Sequence, residues 1–166
     1  MAESMKGLKR THRCTELSAA NVGEEVTVMG WVQKNRNKGG IIFVDLRDRS
    51  GILQIIFEQG ADLSRAVDAE NFAKAETLRS EFVIAVVGKV ERREGNTNAA
   101  MKTGDIEVRA TQLRILSESE TPPFPVEADS KTKEELRLKY RYLDLRRPDL
   151  QEKIMMRSRV AAKIRE

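Results

Sequence analysis

A chain of 166 residues, 40% hydrophobic and 34% charged, is long enough for one compact domain with some extra secondary structure and too short for two full domains. One cysteine and one histidine exclude an internal disulfide and cannot close a tetrahedral metal site, so Cys14 and His12 read as structural and the compartment as reducing. No run approaches the ~18 apolar residues of a membrane span; with a polar, basic stretch 1–13 in place of a secretory core, the chain reads as cytoplasmic. The net charge of +4 suits a phosphate-bearing partner without proving one.

Residues 1–7 read as a loose extension. Thr15 to Ala20 predicts a short helical turn capped by Thr15 and broken at Val22-Gly23. From Glu25 the apolar period becomes two, with Val26, Val28, Gly30 and Val32 on one parity and Thr27, Met29 and Trp31 on the other. Lys34 to Gly40 has no apolar residue and ends in Gly-Gly, which predicts a connection. Strands follow at Ile41–Arg47 and Gly51–Phe57, joined by a turn through Asp48-Arg49-Ser50-Gly51. Asp62 to Leu78 turns helical; Leu63, Ala66 and Val67 share one face and Ala69, Phe72 and Ala73 another, so two short helices and one long one are both open. A fourth strand spans Phe82–Val90, a polar loop Glu91–Thr103, and a fifth strand Asp105–Ser117. The order strand, strand, strand, helix, strand, strand predicts a mainly β fold, a five-stranded Greek-key barrel of the oligonucleotide/oligosaccharide-binding (OB) type with an intervening helix.

After Ser117 the composition shifts. Glu118 to Ser130 carries three prolines among acidic residues and reads as a hinge. A helix is expected from Thr132, which forms a capping-box pattern with Glu135, with Leu136, Tyr140 and Leu143 at helical spacing. Pro148 opens another helix whose apolar stripe is Leu150, Ile154, Ala161 and Ile164. These stripes have no partner of adequate size in the remaining sequence, so the chain reads as truncated at its C-terminus.

Reading a single nucleic-acid strand needs positive charge, a flat stacking surface and polar groups for base edges. The Gly30–Phe57 block supplies all three: Lys34, Arg36 and Lys38 crowd one connection, while Phe43 and Gln54 fall on neighbouring strands where both can face outward. The plain alternatives stand beside that reading. Phe43 fits a barrel core as well as a stacking platform, Gln54 fits a solvated strand position, and Trp31 fits the core better than a second platform.

Gly30-Trp31-Val32, Arg36, Gly39, Phe43-Val44-Asp45-Leu46-Arg47-Asp48-Arg49 and Gly51-Ile52-Leu53-Gln54 resemble the N-terminal domain of bacterial aspartyl-tRNA synthetases (class IIb). Leu136 to Pro148, Leu-Arg-Leu-Lys-Tyr-Arg-Tyr-Leu-Asp-Leu-Arg-Arg-Pro, resembles the segment leading into that family's catalytic domain. The resemblance runs from about Arg10 to Glu166. It implies that the barrel binds the anticodon of aspartate tRNA. Phe43 matches the aromatic stacked on the middle anticodon base, Gln54 the residue reading that uridine's edge, and Arg36 a basic anticodon contact. Arg93, Asn96, Asn98 and Glu107 fall where the family brings further loop and strand contacts; Glu107 would accept from the N–H groups of guanine or the amino group of cytosine.

The resemblance further implies residues 1–117 as anticodon-binding domain, 118–131 as hinge, and 132–166 as the helical start of a truncated class II catalytic domain. The family's ATP- and magnesium-dependent activation of aspartate would lie beyond Glu166, so no catalytic or metal-binding residue, and no cofactor, is expected in this chain. Arg92-Arg93-Glu94 imitates the family's ATP-gripping element but reads as surface charge. The whole protein would be a homodimer acting on tRNA without a membrane. Asparaginyl or lysyl enzymes sharing the barrel, and a non-catalytic single-strand-binding protein, are the rival readings.

Overall fold

The computed structural model describes residues 2–60, 66–93, 95 and 97–166. Alternating apolar residues build five strands, β1 (Glu25–Asn37), β2 (Ile41–Arg47), β3 (Ile52–Glu58), β4 (Val83–Arg92) and β5 (Ile106–Ser117). They close into a barrel in the order β1-β2-β3-β5-β4. β3 and β5 run parallel, and the other neighbours antiparallel. This is the OB-type barrel the pattern predicts, with its helix, α1 (Ala69–Thr77), between β3 and β4.

Closure depends on β1, which pairs with β4 from Glu25 to Trp31 and with β2 from Trp31 to Asn37. At that handover Gly30 is required: a Cβ there would stand 2.4 Å from the Arg47 carbonyl oxygen. Gly88 in β4 is the counterpart, with 2.3 Å to the Arg109 carbonyl oxygen. At both positions only hydrogen fits between the backbones. One parity of every strand fills the interior; Val28, Val32, Ile42, Val44, Leu46, Leu53, Ile55, Phe57, Ile84, Ile106 and Val108 are all 0% exposed. Full burial of each such side chain stabilises by about 1.5–3 kcal/mol.

Several local expectations change. Lys34 to Asn37 is strand, not connection, and the turn shrinks to Lys38-Gly39-Gly40. A register shift between Val32 and Lys34 interrupts the alternation, and the polar side chains beyond it conceal a strand that pairs fully with β2. Trp31 is only half-buried and stands outside the core, on the parity opposite Val28 and Val32. The turn near Thr15 resolves into two 3₁₀ turns, Cys14–Glu16 and Ala19–Asn21. Thr15 caps neither, because its N–H and hydroxyl are engaged by Ser50 (3.0 and 3.2 Å). In the helical stretch, α1 starts at Ala69 because the Asp68 carboxylate accepts the Asn71 N–H at 2.7 Å. Phe72, Ala75 and Leu78 enter the core, whereas Ala73 is exposed. The expected helical residues 62–65 lie outside the described residues.

The chain divides into two compact units, residues 1–121 and 122–166. The second contains α2 (Glu134–Lys139), α3 (Arg141–Asp144) and α4 (Pro148–Arg165). α2 starts at Glu134 without the expected capping box, because the Thr132 hydroxyl pairs with that of Ser130 at 2.7 Å. Phe124, Val126 and Leu143 form this unit's apolar core with Tyr140 half-buried against them, so the Pro-rich segment contributes two of its three buried side chains. Beside that core Asp144, 0% exposed, accepts from Arg141 Nη1 at 2.5 Å and Arg147 Nη1 at 3.1 Å. Arg147 also donates through Nε to the Glu127 carbonyl at 3.0 Å and through Nη2 to Asp149 at 2.8 Å. Much of the Arg141–Arg147 segment thus serves an ionic centre with well-used donors. Pro148 opens α4 as expected. Among the described residues no helix is long and apolar enough to cross a membrane.

Candidate nucleic-acid interface

The alternation that fills the barrel also decides what faces outward. On β2, Ile42, Val44 and Leu46 point inward, which leaves half-buried Phe43 and Asp45 on the outer surface. On β3, Leu53 and Ile55 turn Gln54 outward, and on β5, Ile106 and Val108 turn Glu107 and Arg109 outward. Strand register aligns these positions in two rows. One runs Arg36, Phe43, Ile56, Arg109 across β1, β2, β3 and β5. The other sets Asp45 opposite Gln54, and Glu107 opposite Glu91.

A groove of about 490 Å³ lies over these rows, lined by Arg36, Lys38, Phe43, Gln54, Arg93 and Glu107 together with Ile41, Ile56, Glu58 and Arg109. Arg36 Nη2 donates to Asp45 Oδ1 at 2.9 Å and to Gln54 Oε1 at 3.4 Å. Gln54 Nε2 donates to Glu107 Oε2 at 2.9 Å. The Arg36 guanidinium also stands 5.9 Å from the Phe43 ring centre, within cation–π range. Arg109 is held through Nε by Glu91 at 2.9 Å and through Nη1 by Glu58. Arg93 is anchored by its backbone N–H on the Asp105 carbonyl at 3.0 Å. Its Nε and Nη2 are buried with no hydrogen-bond partner among the described residues. Buried donors of this kind carry a free-energy cost that an incoming acceptor relieves.

Five of the seven expected contact residues, Arg36, Phe43, Gln54, Arg93 and Glu107, therefore meet in one groove. Asn98 does not line it. Asn98 is exposed in the loop before β5, its N–H on the Gly104 carbonyl (3.0 Å) and its side-chain oxygen accepting from the Ala100 N–H (3.1 Å). Asn96 lies outside the described residues. Arg109 and Glu58 went unread in the sequence, and Asp45 stood there only as a member of a motif, with no role of its own. The period of two in Ile106-Glu107-Val108-Arg109 was the available signal, since whatever turns Glu107 outward turns Arg109 outward too. Among the described residues no three His, Cys, Asp or Glu side chains gather as metal ligands.

A half-exposed aromatic ring, a side-chain amide and a guanidinium with two buried donors unpartnered among the described residues are groups of the kind that single-strand recognition uses. Residues 26–116 match the family model described as an OB-fold nucleic acid binding domain, tRNA anti-codon. The chain is 74% identical over its whole length to an aspartate–tRNA(Asp/Asn) ligase of Lachnoclostridium phytofermentans and 64% identical to an aspartate–tRNA ligase of Agathobacter rectalis. It spans 27% of the length of each of these relatives. Among solved structures, the asparaginyl-tRNA synthetase of Pyrococcus horikoshii complexed with asparaginyl-adenylate superimposes with a TM-score of 0.69 at 28% identity, over 85% of this chain and 30% of that one. The chain belongs to the family of OB-fold nucleic acid binding domains, tRNA anti-codon, and over its whole length it is similar to part of aspartate–tRNA ligases.

Proposed function

We propose that the groove reads the anticodon loop of an aspartate-accepting tRNA. Phe43 stacks under the middle anticodon base and Gln54 bonds that uridine's edge. Arg36 and Arg93 meet phosphates or base acceptors, and Glu107 accepts from the N–H donors of a neighbouring base. Asn96 and Asn98 would add contacts to the same RNA. The observation that carries this reading is the meeting in one groove of Phe43, Gln54 and Arg93, whose Nε and Nη2 have no hydrogen-bond partner among the described residues.

The test is equilibrium binding to aspartate tRNA and to a copy changed at the middle anticodon base. Wild-type protein should prefer the first, and equal affinities would sink the reading in favour of a non-specific single-strand binder. Phe43→Ala should weaken binding by ~1–3 kcal/mol, while Gln54→Ala should mainly erase the preference. For the whole protein we propose ATP- and magnesium-dependent attachment of aspartate to that tRNA, in a cytoplasmic homodimer. Residues 1–117 would be its anticodon domain, 118–131 its link, and 132–166 the start of its catalytic domain. No residue here is assigned a step in that chemistry. An asparagine- or lysine-accepting enzyme is the weaker alternative, since the relatives at 74% and 64% identity carry aspartate names.

A further inference from the structure

We infer that Asp45 is a positioning residue that makes Gln54 reject cytosine. The inference rests on the proposed role of Gln54 and adds the reason why its amide tells uracil from cytosine. Asp45, Arg36, Gln54 and Glu107 form one continuous chain of hydrogen bonds, at 2.9, 3.4 and 2.9 Å in that order. A guanidinium only donates and a carboxylate only accepts. Gln54 Oε1 must therefore face Arg36 and Nε2 must face Glu107, because the reversed amide would set NH₂ against guanidinium and oxygen against carboxylate. Gln54 is 7% exposed, so water cannot readily compensate either mismatch.

Each end of the amide has one bond left, one lone pair on Oε1 and one N–H on Nε2. Uracil stacked on Phe43 offers its N3–H to Oε1 and a ring carbonyl to Nε2–H. Cytosine in the same pose sets its unprotonated N3 against Oε1, lone pair to lone pair. A glutamine free to turn its amide over would satisfy cytosine by offering N–H to N3 and accepting from the 4-amino group. An unrestrained glutamine thus tolerates both pyrimidines, and one held at both ends accepts uracil alone. Asp45 itself is not among the groove-lining residues. Its carboxylate acts by holding the half-exposed Arg36, whose side chain is 50% exposed against 18% for Asp45, in reach of Gln54.

The experiment measures affinity for two anticodon-loop hairpin RNAs that differ only in uracil or cytosine at the middle position. Wild type, Asp45→Asn and the conservative Asp45→Glu are compared, with thermal unfolding run in parallel. Asp45→Asn should retain its affinity for the uracil hairpin and lose about tenfold in the uracil-over-cytosine ratio; Asp45→Glu should keep the ratio. A purely structural role for Asp45 would weaken both RNAs together and leave the ratio intact, which overturns the inference. A wild-type ratio of one would instead overturn the proposed function of the groove, and this inference with it.

Discussion

Charged side chains inside the barrel wall show how far a residue's role depends on its distant partner. Arg47 Nη2 donates to both carboxylate oxygens of Glu81, at 2.7 and 2.9 Å, with the side chains 7% and 5% exposed. Glu81 holds a left-handed backbone, φ 68°, and its N–H donates to the Val32 carbonyl at 2.7 Å. A non-glycine residue keeps that conformation only where its surroundings over-determine it, and the pair with Arg47 is one such constraint. Arg47→Ala removes the guanidinium that meets both oxygens of a buried carboxylate and should cost about 3–5 kcal/mol, read from urea midpoints at constant slope. Arg47→Met combined with Glu81→Gln should cost less than Arg47→Ala alone; a larger loss in the double variant would refute the account. In the sequence Arg47 stood only as the end of a strand and a member of a motif, and Glu81 drew no notice, because a lone Arg or Glu reads as surface. Phe43 and Gln54 were half-legible in the same way: parity allowed them to face outward, but Glu107, which holds the Gln54 amide, lies 53 residues further along the chain.

At the scale of elements, the β2–β3 turn is tied to the N-terminal segment by one carboxylate. Asp48 Oδ1 accepts from the Ser50 N–H and hydroxyl (2.7 and 2.6 Å) and the Gly51 N–H (3.3 Å), while Oδ2 accepts from the Cys14 N–H (3.0 Å). Burial would raise its pKa, but the Ser50 hydroxyl and the N–H groups of Cys14, Ser50 and Gly51 outweigh burial and hold it below the usual carboxylate value. Burial, with Asp48 beside it, pushes the Cys14 thiol upward, so it stays protonated. For Asp48, a folded pKa depressed below the unfolded one stabilises fully above about pH 5 and is lost as pH falls through the depressed value. Asp48→Asn should therefore lower Tm at neutral pH, and the gap to wild type should narrow below about pH 4. A gap independent of pH would rule the linkage out. The limits of β2 were readable from composition alone because an apolar period of two is bracketed by Gly-Gly and Asp-Arg-Ser-Gly. The second half of β1 was not, since Lys34, Asn35, Arg36 and Asn37 pair as a strand while presenting only polar side chains after a register shift. The start of α2 failed for a different reason: Ser130 takes the hydroxyl on which the Thr132 cap depended.

The whole molecule holds two cores of unequal strength. The barrel core draws on all five strands, α1 and the Cys14 turn, and the second unit has three buried apolar side chains and the Asp144 ionic centre. Within that second unit Leu138, Tyr142, Ile154, Met156, Val160 and Ile164 are 45–81% exposed. So small an apolar core seldom sustains independent folding, whereas a closed barrel leaves no unpaired sheet edge and buries one face of every strand. The five groove residues brought together, Arg36 to Glu107, all lie on the barrel unit. A chain ending at Thr121 should consequently unfold in a single cooperative transition and bind the anticodon hairpin within about twofold of the 166-residue protein, the spread expected of independent parts. Residues 122–166 alone should show no cooperative thermal transition by circular dichroism. Affinity lost by much more than twofold in a still-folded barrel would move part of the RNA contact onto the helices. A shortened barrel that no longer unfolds cooperatively would mean the two cores stabilise each other, and then substitutions around Asp144 should lower the barrel's own unfolding midpoint.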